Sequence, residues 1–286
     1  MIRRKFGWTG MDVSVIGMGT WMLESRSREA DRRAIEALQL GIDLGMNHID
    51  TAEMYGSGLV EQMVSEAING RREDIFLVSK VLPSNASYEG TLKACERSLK
   101  RLKTEFLDLY LLHWPSNQHP IEETMRAMEE LVEEGMIKHI GVSNFDIEEL
   151  KEAQVALKNQ RIACNQVLYH LGNRGVERYL LPFCKENGIT IVGYSPFGHG
   201  DFPSPESKKG RILSEIASRY NRTPRQVALN FLTRKPNLFT IPKAGNLNHI
   251  RENSDGGGQW RLSDEDISVI ERTFPLPRED KPLEMI

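Results

Sequence analysis

Along most of this chain, short apolar runs rich in β-branched residues alternate with stretches whose apolar residues recur every three or four positions. The runs fall at about 15–20, 47–50, 75–80, 107–112, 137–142, 162–167, 189–194 and 238–241, which makes eight candidate strands. In 58–69, Leu59, Val60, Met63, Val64, Ala67 and Ile68 share one helical face, as do Leu92, Cys95, Leu99 and Leu102 in 90–102. Residues 121–135 predict a helix stopped by Gly135, and Asp146 caps another that opens on acidic residues. Parallel strands need long crossovers, so this alternation predicts a parallel sheet. Eight strand–helix units in roughly 250 residues match a closed (β/α)8 TIM barrel. A doubly wound sheet is the competing arrangement and normally has fewer strands.

Three segments fall outside the alternation. Residues 1–14 predict a hairpin, FGW and VSV around a Thr-Gly-Met-Asp turn, that closes the bottom of the barrel. The Gly/Pro/Ser-rich stretch 198–207 is longer than the usual connection and predicts a lid over a cofactor. SDGGGQW at 254–260 predicts a flexible break before a helix at about 263–272, which adds extra helices near the C-terminus. No linker or compositional break interrupts residues 1–286, so a single barrel domain is expected.

Composition narrows the function classes. With 37 basic and 40 acidic side chains the net charge is −3, and no basic–aromatic patch points to nucleic acid. Cys95, Cys164 and Cys184 are odd in number and widely spaced, which fits neither a disulfide framework nor a zinc site; they read as small buried hydrophobes, and no metal is expected. The N-terminal MIRRKFGWTG lacks the apolar stretch of a secretory signal, and no apolar run approaches the ~20 residues that cross a membrane. A cytoplasmic location, no membrane partner, and a monomer or weak homo-oligomer are the expectations.

The chemistry sits at strand ends. Asp50, Lys80 and His113 close the second, third and fourth runs, and Tyr55 lies just past Asp50. Each has a plain alternative: a helix cap at Asp50-Thr51, turn packing for Tyr55, a solvated Lys80, a core histidine at His113. The plain readings must, however, all hold at three consecutive strand ends of one mouth. A tyrosine of ordinary pKa ~10 is protonated at neutral pH and can donate to a developing alkoxide. An ammonium from Lys80, held by Asp50, would favour the phenolate and make the phenol a better acid. His113, as a neutral donor, would orient the substrate oxygen. This is equipment for protonating a carbonyl oxygen while a hydride reaches its carbon.

The donor site is not of the Gly-rich type. Gly17-Met18-Gly19 is followed by Met22 where a third glycine belongs, so a Rossmann fingerprint is rejected. The later strands end instead on Ser143-Asn144, Asn165-Gln166, Tyr194-Ser195 and Lys243, groups suited to a carboxamide, a flat ring and a phosphate.

The ordered motifs GMGTW, HIDTAEMYG, VSK, LHWP, GVSNF, NQVLYH, YSPFG and IPK followed by REN resemble the aldo-keto reductase family, over about Val13 to Phe274, in a short-loop, prokaryotic-type form. The resemblance implies NADPH (NADP+) bound in extended form, a small-molecule carbonyl as substrate, and a tetrad of Tyr55 as acid with Asp50, Lys80 and His113. It also implies cofactor contacts from Gly19, Thr20, Trp21 and Asp50, and a carboxamide site at Ser143, Asn144 and Gln166. Tyr194 would stack on the nicotinamide. Ser195, Pro196, Phe197 and Gly198 would hold the pyrophosphate. Ile241 and Lys243 would lie towards the 2′-phosphate, with Ala244 and His249 beside them and Glu252 and Asn253 at the adenine. Trp21, Tyr55, His113 and Trp114 would bind substrate. Many members carry serine and arginine where Ala244 and His249 stand, so NADH is expected to be usable. The short connection after Trp114 and the short tail predict an open pocket for aldehydes, α-dicarbonyls or sugar-like carbonyls. Two other readings stay open: a barrel aldolase with Lys80 as Schiff-base nucleophile, and a non-catalytic redox-sensing subunit.

Overall fold

The computed structural model describes residues 1–25, 27–279 and 282–286. A hairpin of β1 (Arg3–Lys5) and β2 (Asp12–Ser14) comes first. The repeating part then runs β3 (Met18–Gly19), α1 (Arg28–Asp43), β4 (His48–Asp50), α2 (Leu59–Ala67), β5 (Phe76–Val81), α3 (Tyr88–Leu102), β6 (Leu107–Leu112), α4 (Ile121–Glu133), β7 (Ile137–Ser143), α5 (Ile147–Ala156), β8 (Ile162–Leu168), α6 (Leu180–Glu186) and β9 (Thr190–Tyr194). The chain continues through α7 (Lys208–Arg219), α8 (Pro224–Leu232), β10 (Leu238–Thr240), α9 (Leu247–Gly256) and α10 (Asp264–Thr273).

Strands β3 to β10 form one parallel sheet in chain order. Its two edges meet: Gly17 N donates to Thr240 O (2.8 Å), Thr240 N to Val15 O (3.0 Å) and Gly19 N to Pro242 O (3.2 Å), so the cylinder closes. This is the (β/α)8 barrel, with α10 and one of the α7–α8 pair as additions to the eight units. β5 and β6 are buried at every position, as expected of strands covered by helices on one side and by the packed interior on the other. Local sequence stops and starts the helices. Ser87, Asp146, Ser207 and Thr223 each accept a backbone N–H at a helix start, and Asp146–Glu149 and Thr223–Gln226 form capping boxes.

The hairpin closes the bottom, though not with the strands foreseen. Arg3–Lys5 pairs with Asp12–Ser14, while Gly7–Thr9 is a 3-10 turn, because Phe6 leaves the hairpin to plug the barrel. Its ring lies 4.8 Å from Phe76 and 5.2 Å from Phe239, and it is fully buried. The expected break before the closing helix is present but begins later: α9 runs through Gly256, and the non-helical residues 257–263 separate it from α10. A Cβ on Gly256 would meet Leu229, and one on Gly257 would meet Met1 and Ile16, so these glycines permit close packing. All three cysteines are free thiols in the core, and burial pushes each thiol pKa up. Among the described residues no helix is long and apolar enough to cross a membrane.

Candidate active site

The carboxyl ends of the strands surround a cavity of about 510 Å³, within the range of small-molecule sites. Strand alternation places His48 and Asp50 on the interior face of β4, and Lys80 reaches the same level from β5. Lys80 Nζ lies 2.5 Å from Asp50 Oδ1, 2.9 Å from Thr51 O and 3.3 Å from Tyr55 OH. Tyr55 is carried by a 3-10 turn after β4, and its ring stands edge-on to His113 at 5.8 Å. The four side chains therefore meet at one rim, each buried.

Their electrostatics differ from the expectation at one point. Burial drives the Tyr55 phenol above its ordinary pKa; Lys80 pulls it back down, but not far enough. Tyr55 is thus a firmly protonated phenol, not an acidified one. Burial works against the Lys80 ammonium, yet Asp50 and Tyr55 outweigh it and hold its pKa above the usual value. Burial, then Lys80, push His113 well below the usual imidazole value, so the ring is neutral, as the sequence reading requires. Lys80 is fully buried and triply bonded, an arrangement that leaves no lone pair for Schiff-base attack. The aldolase reading loses its nucleophile.

The second half of the barrel supplies a polar shelf. Gln166 Nε2 donates to Asp50 Oδ2 at 2.7 Å, joining the expected carboxamide binder to the acid's own support. Ser143 Oγ donates to the Gln166 carbonyl (2.9 Å), and Asn144 Nδ2 to Ser143 Oγ (3.1 Å) and the His113 carbonyl (3.2 Å). Tyr194 OH donates to Asn144 Oδ1 at 2.9 Å, which fixes the Tyr194 ring at the cavity wall. Burial raises that phenol to about 12. Gly19, Thr20, Trp21, Ser195, Pro196, Phe197, Gly198, Ile241 and Lys243 also line the cavity, as does Trp114.

Four of the expected contacts are not among the residues that line the cavity. Ala244 is buried behind the rim, and the exposed His249 bonds Asn246 at the start of α9. Glu252 accepts from Thr223 Oγ1, and Asn253 is buried on α9; neither reaches the cavity. Conversely, Met22, Met54, His199, Pro242, Met285 and Ile286 line it without having been foreseen. His199 belongs to the 198–207 loop and stacks on Trp21 at 5.5 Å and 28°, so that loop does lean across the mouth. Phe197 and Phe202 pack edge to face at 5.7 Å beneath the Arg225 guanidinium, which anchors it. The tail is brought in by Arg174 and Arg178, which hold the carbonyls of Phe274 and Pro277 (both 2.6 Å), and by Asn173 on Glu284 (2.9 Å).

Comparison with known proteins agrees with this geometry. Residues 15–273 match the model of the aldo/keto reductase family. The chain belongs to that family and is an oxidoreductase of it. It is similar to methylglyoxal reductase YeaE of Escherichia coli (strain K12), with 40% identity over 279 residues that cover 96% of each chain. Glyoxal reductase of Bacillus subtilis (strain 168) is 34% identical over 284 residues, 94% of each. A Klebsiella pneumoniae aldo-keto reductase solved in complex with NADPH superposes with a TM-score of 0.92 at 37% identity, covering 100% of both chains.

Proposed function

We propose that this protein is a single-barrel enzyme that reduces small aldehydes and α-dicarbonyls to alcohols with NADPH, Tyr55 delivering the proton. One observation carries the reading: Lys80 Nζ bridges Asp50 and Tyr55 at the base of a cavity walled by Tyr194 and Gln166. The residues fit a nicotinamide dinucleotide. Tyr194 presents a flat face, Ser143, Asn144 and Gln166 present amide-compatible groups, and the exposed Lys243 stands at the rim beside the capped N-terminus of α9. The relatives' names, methylglyoxal and glyoxal reductase, support α-dicarbonyls as substrates.

When bound, the reduced cofactor supplies the hydride. Neutral His113 donates to the carbonyl oxygen and orients it, and Tyr55 gives that oxygen its proton. Lys80 then offsets the phenolate left behind, with Asp50 holding the ammonium in place. Positioning donor and acceptor supplies the rest of the acceleration.

Tyr55→Phe tests the assignment. Turnover should fall roughly 10²–10⁴-fold, while the calorimetric Kd for NADPH stays within about twofold, since the ring packing is kept. Wild-type kcat in this variant would exclude Tyr55 as the donor. Cofactor choice is a second test. Ala244 and His249 remove two donors to the 2′-phosphate, each worth roughly 1.5–3 kcal/mol where present. NADPH should still be preferred through Lys243, with measurable NADH turnover; a kcat/KM with NADH equal to or above that with NADPH removes Lys243 from the phosphate site.

A further inference from the structure

Gln166 has one side-chain amide and two directions to use it. The group facing it on one side is Asp50, a carboxylate paired with Lys80 that can only accept, so the amide nitrogen must point there. That fixes the other end: Oε1 has no donor among the described residues and faces the cavity that Gln166 lines. A primary carboxamide N–H is the donor chemistry that fits it. The same amide is therefore one link in a continuous chain, from Oε1 through Nε2 to Asp50 Oδ2, from Asp50 Oδ1 to Lys80 Nζ, and from Lys80 Nζ to Tyr55 OH.

We propose that Gln166 is a positioning residue for the proton donor: it shares Asp50 with Lys80, and so couples the cofactor's carboxamide to the ionisation of Tyr55. This rests on the reductase reading above. Asp50 accepts from two donors, one charged and one neutral. While Gln166 takes part of the carboxylate's charge, the ammonium is left freer to favour the Tyr55 phenolate. Without Gln166, Asp50 holds Lys80 more fully and its own negative field at the phenol is less screened. Both changes make the phenol ionise at higher pH. The other groups around Tyr55 are His113 just past β6 and Tyr194 from β9, both uncharged near neutrality, with His48 below Asp50 on β4, so none reverses the sign.

The test uses the full-length protein and three variants. Gln166→Met keeps the length of the side chain without a donor, and Gln166→Asn keeps an amide one methylene short. Ser143→Ala removes a carboxamide contact that does not touch Asp50. Tyrosinate absorbance that disappears in a Tyr55→Phe background reports Tyr55 in the cofactor-free protein. It should titrate about half a unit to one unit higher in both Gln166 variants. The rising limb of alcohol oxidation against pH should move the same way. In Ser143→Ala, calorimetry should show weaker NADPH binding with neither curve displaced. If Gln166→Met and Gln166→Asn weaken NADPH but leave both curves in place, Gln166 only holds the cofactor and the proposal is overturned. A wild-type protein that reduces no carbonyl with NADPH sinks the reductase reading instead, because the absorbance titration does not depend on turnover.

Discussion

Lys80 at the mouth and His48 at the floor are both completely buried bases on the inner face of neighbouring strands, yet their charge states are opposite. Lys80 has a carboxylate at 2.5 Å and keeps its proton. His48 has neither ring nitrogen bonded; it lies edge-on to Phe76 at 5.5 Å and to Phe6 at 6.2 Å. Burial pulls its pKa down to about 4, Asp50 restoring only part of the loss and Lys80 adding to it. The same penalty of leaving water thus gives a fixed cation in one layer and a neutral ring in the next. Burial does not decide a protonation state; the partner does. The mouth holds a paired charge, and the floor is packed with aromatic rings around an uncharged imidazole.

The strongest way to break this contrast is to remove the charges. In Asp50→Asn combined with Lys80→Met, turnover should fall by roughly 10²–10⁴-fold. The unfolding free energy from urea titration should hold or rise by about 1–4 kcal/mol, because a desolvated ion pair is replaced by uncharged groups. A double variant clearly less stable than wild type would show that the pair stabilises the fold. The next effect is at the floor. His48 ionises near 4 when folded and near its ordinary 6.5 when unfolded. Between those values the unfolded chain binds a proton that the folded chain refuses. This contribution is therefore fully present above pH 6.5 and is lost as pH falls towards 4, up to about 3 kcal/mol. His48→Phe keeps a flat ring without a titrating nitrogen, so its stability curve should be flatter across that window. Equal slopes in the two proteins would mean that the floor histidine has an unseen partner.

The same contrast explains what the chain disclosed before folding. Asp50, Lys80 and His113 were legible because each ends an apolar run, and a closed parallel sheet leaves strand ends nowhere else to go. The helical stripes of α2 and α3 were legible for the same periodic reason, and so was the polar wall of Ser143, Asn144, Gln166 and Tyr194. The bond between Gln166 and Asp50 was not, because it joins residues 116 positions apart across the barrel and spacing encodes no such distance. Phe6 was read as part of a strand although it is a plug, since an aromatic among charged residues fits either role. Gly256 belongs to α9 and not to the break for a related reason: composition cannot separate a glycine that bends from one that admits a neighbour. Met285 and Ile286 left no signal at all; their place depends on Arg174, Arg178 and Asn173 catching the tail.

The α-dicarbonyls proposed above as substrates condense with amines and guanidines, so a cleft that gathers them exposes its own lysines and arginines to glycation. Among the described residues lining this cleft, Lys243 is the only lysine or arginine; the aromatic and sulfur-bearing part of the wall is thioether, indole, phenol, phenyl and imidazole. The Lys80 amine is sealed under Tyr55 with its lone pair spent on a proton. Lys80 is thereby out of reach of any electrophile that enters the cleft.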